Sequence, residues 1–342
     1  MNAQNTQNAT VITKETKRRI RVDFERTPLA DRLKSKFISM YFLGNVVWYI
    51  FRLLLLVGVS FVILYPFIAK IAGSFMAAED FVDVTVRLIP KHFTAEQYKY
   101  IFLELGYTKA LLTTAVLSLV MALLQTFVCT LIGYGLAKFK FKGNKLVMIL
   151  VVITMVIPHQ TLRVPLFMQF RYFDVYGIWQ LITGKPMFNL INTYAPLTLL
   201  SVCGLAFKNG LYIFMMRQFF RGVPDELEES AYVDGSGTFR TFVQIIIPLS
   251  VPMLITIFLF AFSWQWTDEF YTGLLMPGAK FTLMRDIVAI PSSLKTSFAG
   301  QDLYYSAIYN TCGIMIILPL LVVYLFCQRY LIQGIERSGI VG

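Results

Sequence analysis

The chain has 342 residues, of which 56% are hydrophobic and only 15% charged, with a formal net charge of +11. That balance excludes an ordinary soluble domain and points to a membrane protein with several spans. The basic excess does not imply nucleic acid, because the basic residues flank apolar runs, as the positive-inside rule requires. Four cysteines (Cys129, Cys203, Cys312 and Cys327) each lie within an apolar run, with no CxxC pair, and read as small buried hydrophobes.

Residues 1–46 form a tail, polar and disordered at its start, then basic from Lys14 to Lys36. Leu29, Leu33, Phe37 and Met40 stand at helical spacing and suggest an interfacial helix. The first long apolar run follows this tail and reads as a retained span, not a cleaved signal. Six apolar stretches are expected to cross the bilayer, at 50–72, 110–135, 146–166, 193–216, 245–268 and 306–328. The third is interrupted by Pro158 and Pro165. The expected fold is therefore all-α, with a transmembrane domain over 47–330 and a tail at 331–342.

Basic residues set the orientation. Lys138, Lys140, Lys142 and Lys145 follow the second span, and Arg329 and Arg337 follow the sixth. These loops and both termini are expected in the cytoplasm. The outer loops would be 73–107, 167–192 and 277–303. In the first, Thr94 to Gln97 ahead of Tyr98, Ile101 and Phe102 reads as a capped amphipathic helix.

One loop breaks the apolar pattern, within 217–248. Pro224 suits a first helical turn, and Asp225, Glu226, Glu228 and Glu229 complement the helix dipole. Leu227, Ala231 and Asp234 fall on one face with Ser230 beside them, and Gly235 sits where a left-handed cap ends a helix. Ser236 can cap a second helix, Thr238 to Ile247, running on to Pro248. The expected shape is a helix–glycine–helix bracket.

Several polar groups fall inside apolar runs. Lys208 lies nine residues before Arg217, about 13 Å along a helix, with Asn209 beside it and Gly210 small enough to admit another helix. Lys208 reads either as a pathway cation or as a helix break or internally paired charge. His159, Gln160 and Arg163 follow Pro158, where a broken helix frees carbonyls; His159 favours a structural hydrogen bond over a proton relay. Gln265 and Asp268 are candidates for a cavity or an external contact, whereas Trp264 and Trp266 read as an interfacial belt.

No catalytic or metal constellation stands out: His92 and His159 are the two histidines, and HExxH is absent. The nearest approach to a nucleotide-binding P-loop, Gly273 to Lys280, has Ala279 where the lysine belongs. An enzyme is not expected. A proton-coupled carrier would need relay carboxylates in several spans, and only Asp268 comes close.

The loop pattern resembles a known family, the permease subunits of bacterial ABC importers, specifically the carbohydrate-uptake class. The family's Glu-Ala-Ala, three residues, Gly, nine residues, Ile-x-Leu-Pro is matched by Glu229-Ser230-Ala231, Gly235 and Ile245 to Pro248. Arg217 to Phe220, Pro224, Asp234 and Pro252 extend the match. Ser230 and Ile247 depart from it by small changes, and 187–212 is less typical. Gln328-Arg329-Tyr330, Gly334 and Gly342 resemble the ending of the second of the two permeases in such importers.

The resemblance implies a six-transmembrane-helix type I fold in the bacterial plasma membrane. It implies a second, homologous permease, two ATPase subunits using ATP and Mg, and an extracellular solute-binding protein. Leu227, Glu228, Glu229, Ser230, Ala231, Asp234 and Gly235 would form the coupling helix that docks on the ATPase. The implied cargo is a carbohydrate, with an anionic sugar or a glycerol phosphodiester as the alternative. No cofactor is expected on this chain itself, and its other surroundings are membrane lipid.

Overall fold

The computed structural model describes residues 40–174, 177–184, 188–278, 280–297 and 300–339. The disorder expected at the start of the tail and the helix suggested by Leu29, Leu33 and Phe37 fall outside them. The chain divides into two compact units, Met1–Phe67 and Ile68–Gly342. The described part of the first is the body of α1 (Met40–Gly73), a Leu- and Val-rich helix with Pro66 near its end.

The second unit is built from helices: α2 (Glu96–Glu104), α3 (Tyr107–Lys138), α4 (Asn144–Val156), α5 (Arg163–Arg171), α6 (Ile178–Thr183), α7 (Ala195–Val202), α8 (Asn209–Arg221), α9 (Glu226–Val233), α10 (Thr238–Trp266), α11 (Phe270–Leu275) and α12 (Gln301–Gly339). The amphipathic helix expected after Thr94 is α2, with the Thr94 hydroxyl accepting the Glu96 N–H at 3.2 Å.

Among the described residues four helices are long and apolar enough to cross a membrane: Gly44–Gly73, Tyr107–Lys138, Thr238–Trp266 and Gln301–Ile332. A fifth crossing exists if Asn144–Val156 and His159–Arg171, bent by 95°, count as one. The uninterrupted span expected over 193–216 is absent. In its place stand α7 and α8, separated by 203–208, where Gly204 (φ 71°) and Lys208 (φ 65°) are both left-handed. A right-handed helix cannot pass through those dihedrals. At the other end, α12 continues to Gly339, well past the boundary expected at 330.

The core runs along α3, which packs against α8 and α10, while α10 packs against α12. Tyr212, Met216, Phe220, Ile246, Met253, Ile257 and Ile308 are fully buried there. Lipid is as apolar as these side chains, so close packing and buried hydrogen bonds hold the bundle together, not exclusion from water. Gly133 shows the closeness: a Cβ there would lie 2.5 Å from the Met216 Cβ and 3.1 Å from the Arg217 backbone N. Hydroxyls on α3 turn back onto its own carbonyls, as in Thr126 to Ala122 O at 2.7 Å and Thr130 to Thr126 O at 2.6 Å. Their polar atoms are thereby satisfied inside an apolar element.

Proline shapes the two long C-terminal helices. Pro319 lacks an N–H, so the Met315 carbonyl loses its intrahelical partner. The Tyr107 hydroxyl donates to Met315 O at 3.0 Å, and Trp266 Nε1 donates to Ile316 O at 2.9 Å. Trp266 is 5% exposed and therefore ties α10 to α12, contrary to the interfacial role expected for it. Pro248 likewise cannot continue an i→i+4 pattern, and the turn before it, Phe242–Ile246, widens into a π-helix.

Candidate functional site

Two regions gather the polar groups singled out by the sequence. The first is the loop from Arg217 to Pro248. α9 starts after Asp225 and ends at Gly235, whose φ of +81° is left-handed as expected. The Gly235 and Ser236 N–H groups close the last turn on Tyr232 O (3.0 Å) and Ala231 O (2.9 Å). Gly237, not Ser236, precedes the next helix. The Ser236 hydroxyl instead accepts from Thr241 Oγ1 at 3.1 Å. The expected bracket is thus present, but its second arm is continuous with α10.

A charged clamp fixes the first arm. Lys138, at the end of α3, donates to Asp225 Oδ1 at 2.5 Å and to Val223 O at 2.8 Å, and pairs with Glu228 Oε1 at 3.4 Å. Tyr134 Oη donates to Glu228 Oε2 at 3.2 Å. The side chains of Lys138 and Glu228 are only 8% and 9% exposed, whereas that of Asp225 is 79% exposed. The hydrogen bond from Lys138 holds the Asp225 carboxyl below the usual carboxylate range.

Glu228 and Ala231 therefore point into the protein and position the arm. Leu227, Glu229, Ser230, Asp234 and Gly235 face outward, joined by Val233 (88% exposed) and Phe239 (79% exposed). Tyr134 and Lys138 are site residues that sequence reasoning missed. Lys138 served there only as a topology marker, and nothing local pairs it with a residue ninety positions on.

The second region is a cavity of about 330 Å³ at the two helix breaks. Thr154, Met155, Ile157, His159, Leu162 and Leu166 line it from the bent α4–α5 pair. Gly204 to Lys208, Gly210 and Leu211 line it from the α7–α8 break, and Tyr271 from α11. Gly210 has the expected role. A Cβ there would meet Thr154 Oγ1 at 2.4 Å and Val151 O at 3.1 Å, so α8 can approach α4 only with glycine at this position.

Lys208 Nζ lies 4.8 Å from the Phe207 ring centroid and 5.4 Å from that of Trp264, and it has no carboxylate partner among the described residues. Trp264 stands edge-on to Phe207 at 5.1 Å, lines the smaller neighbouring enclosure and is 47% exposed. His159 packs against Phe207 (4.6 Å), Phe270 (4.9 Å) and Tyr271 (6.3 Å). Ring packing, in place of the hydrogen bond expected, holds it.

The remaining candidates divide. Gln160 is exposed in the turn beyond His159. Asn209 is fully buried beside α3, with both amide atoms unpartnered, and does not line the cavity. Asp268 is committed locally: its carboxylate accepts the N–H groups of Tyr271 (3.0 Å) and Thr272 (2.7 Å) at the start of α11. Gln265 shares a small enclosure of about 20 Å³ with Gln125, Ser201 and Asp268. Phe207 and Tyr271 were missed, because aromatics in an apolar run carry no signal of their own.

The broken-helix cavity and the bracket both stand on one apolar helical bundle. Residues 129–337 match the family of binding-protein-dependent transport system inner membrane components, and the chain belongs to that family. It is thus a multi-pass plasma-membrane transport subunit.

Among curated proteins it is 26% identical over 287 residues to the arabinooligosaccharides transport system permease protein AraQ of Halalkalibacterium halodurans, covering 83% of this chain and 93% of that one. It is 28% identical over 286 residues to the polygalacturonan/rhamnogalacturonan transport system permease protein YtcP of Bacillus subtilis, covering 81% and 92%. A solved bacterial ABC transporter involved in import of the acidic polysaccharide alginate superposes with a TM-score of 0.62 at 21% identity, covering 84% of this chain and 97% of that one. At that identity the superposition speaks to the fold alone.

Proposed function

We propose that this chain is the permease subunit of an ATP-driven importer for an oligosaccharide. It pairs with a second, homologous permease, receives cargo from an extracellular solute-binding protein, and is driven by two separate ATPase subunits that use ATP and Mg. Counting the bent α4–α5 pair and the broken α7–α8 pair as one crossing each gives six. Both termini and the 217–248 loop then lie in the cytoplasm, the side that Lys138, Lys140, Lys142 and Lys145 favour.

The observation that carries this reading is the bracket. α9 is the coupling helix, clamped from behind by Lys138 and Glu228, with Leu227, Glu229, Val233 and Phe239 turned outward toward a partner. Glu229 is its charged contact, Gly235 its joint. The oligosaccharide assignment follows relatives named as arabinooligosaccharide, galactooligosaccharide and maltodextrin permeases.

Glu229→Lys should abolish ATPase association and uptake while the chain still inserts in the membrane. Gly235→Val should abolish uptake, because a β-branched residue at φ +81° costs at least ~1–2 kcal/mol and re-aims the second arm. Normal pull-down of the ATPase and normal uptake by Glu229→Lys would remove the coupling role.

A further inference from the structure

The cavity at the two helix breaks holds a charge with no carboxylate partner among the described residues. Lys208 sits in the left-handed region at φ 65°, a conformation glycine takes without strain and lysine does not. Its position at the head of a 13-residue helix puts it about 20 Å from Arg221, deep within a span by the reading above. A cation at such depth is costly unless something matches it. Asp268, three residues before the lining Tyr271, is already engaged at the start of α11 through both carboxylate oxygens.

Beside Lys208 three rings, His159, Phe207 and Tyr271, stand in an otherwise mostly aliphatic lining. The ammonium lies over Phe207 and Trp264, and Tyr271 and His159 complete a wall of rings. Rings bind the C–H faces of a sugar, and their π faces hold a cation in place without neutralising it. A wholly neutral sugar needs no such cation.

Resting on the reading of this chain as an oligosaccharide permease, we infer that the cavity is a subsite for a carboxylate-bearing saccharide, an oligouronide. Lys208 Nζ, held over Trp264, pairs with the carboxylate, and Phe207 and Tyr271 contact the sugar rings. The site favours a carboxylate over a phosphodiester. Phosphate sites assemble several backbone N–H groups or an arginine fork, whereas this one offers a single ammonium among rings. Thr154 and Gly210, packed together in the lining, limit the room left for a pyranose.

The test uses the complete importer, with its partner permease, ATPase subunits and binding protein, in proteoliposomes. Uptake is measured for trigalacturonate, trimannuronate and a glucuronoxylan fragment, each beside its carboxyl-reduced counterpart, with glycerophosphoglycerol as the phosphodiester. The expected result is uptake of at least one uronide in preference to its reduced form. Lys208→Met should lower that preference by about tenfold or more, the scale of a lost hydrogen bond to a charged group, and Lys208→Arg should keep most of it.

Equal uptake of the acid and reduced forms, an undiminished preference in Lys208→Met, or uptake of the phosphodiester alone would overturn the subsite. So would loss of the partner permease from the Lys208→Met complex, which would make Lys208 an interface charge. Uptake of neutral oligosaccharides alone would sink this inference and leave the permease reading standing. Uptake of no saccharide at all would sink the carbohydrate assignment as well.

Discussion

The bracket and the cavity use lysine in opposite ways. Lys138 is buried and fully engaged, with Glu228, Asp225 and the Val223 carbonyl around it. Lys208 is exposed to its cavity and meets only ring faces. A charge with its partners in place fixes shape, because breaking the set strands a buried ion. A charge without a partner contributes little to shape and stays available to something that enters.

The sharpest way to break this comparison is to remove each charge in turn. Lys138→Met should destabilise the second unit by about 3 kcal/mol, since Glu228 is left buried and unpaired. Lys208→Met should cause no loss of stability, because it removes a cation that no carboxylate among the described residues matches. Thermal unfolding of the purified complexes measures both, and equal losses would erase the distinction.

A smaller effect is expected at the cavity wall. Gly210→Ala should cost about 1–3 kcal/mol, because its Cβ falls 2.4 Å from Thr154 Oγ1. Adding Thr154→Ala should return part of that loss, the non-additivity expected of touching residues. Strict additivity in the same melts would mean that α4 and α8 do not constrain each other there.

The smallest effect concerns pH at the bracket. Lys138 depresses the Asp225 carboxyl below its usual 3.8 in the folded state. The stabilisation from this pair is therefore complete above that value and is lost as pH falls through the lower folded one. Hydrogen exchange across Glu226–Val233 should be flat from pH 8 to about 5, after correction for intrinsic rates, and should quicken below about 4. Asp225→Asn should remove the dependence on this carboxyl; an unchanged profile would show that Asp225 does not hold the arm.

The same contrast explains what the sequence made legible. The bracket is local: Pro224, the acidic first turn and Gly235 each act on their own neighbours, so its helix and its left-handed joint can be read in order. What holds it, Tyr134 and Lys138, comes from another helix and left no mark in the loop. The cavity is non-local throughout. Pro158 announced one break, but the other depends on the dihedrals of Gly204 and Lys208 within a stretch apolar enough to pass for a span. Trp266 misled for a related reason: a tryptophan at a helix end suggests an interface until another helix, near its Pro319, brings the Ile316 carbonyl to its N–H.

That proline carries a mechanical consequence. Tyr107 and Trp266, from the start of α3 and the end of α10, plug into adjacent carbonyls on one turn of α12. Two pegs from different directions in neighbouring sockets prevent α12 from sliding or rolling by a notch without drawing both out together. The three helices should therefore travel as one block during transport. The give in the machine then has to come from the seams at 157–162 and 203–208, which border the compartment where Lys208 waits.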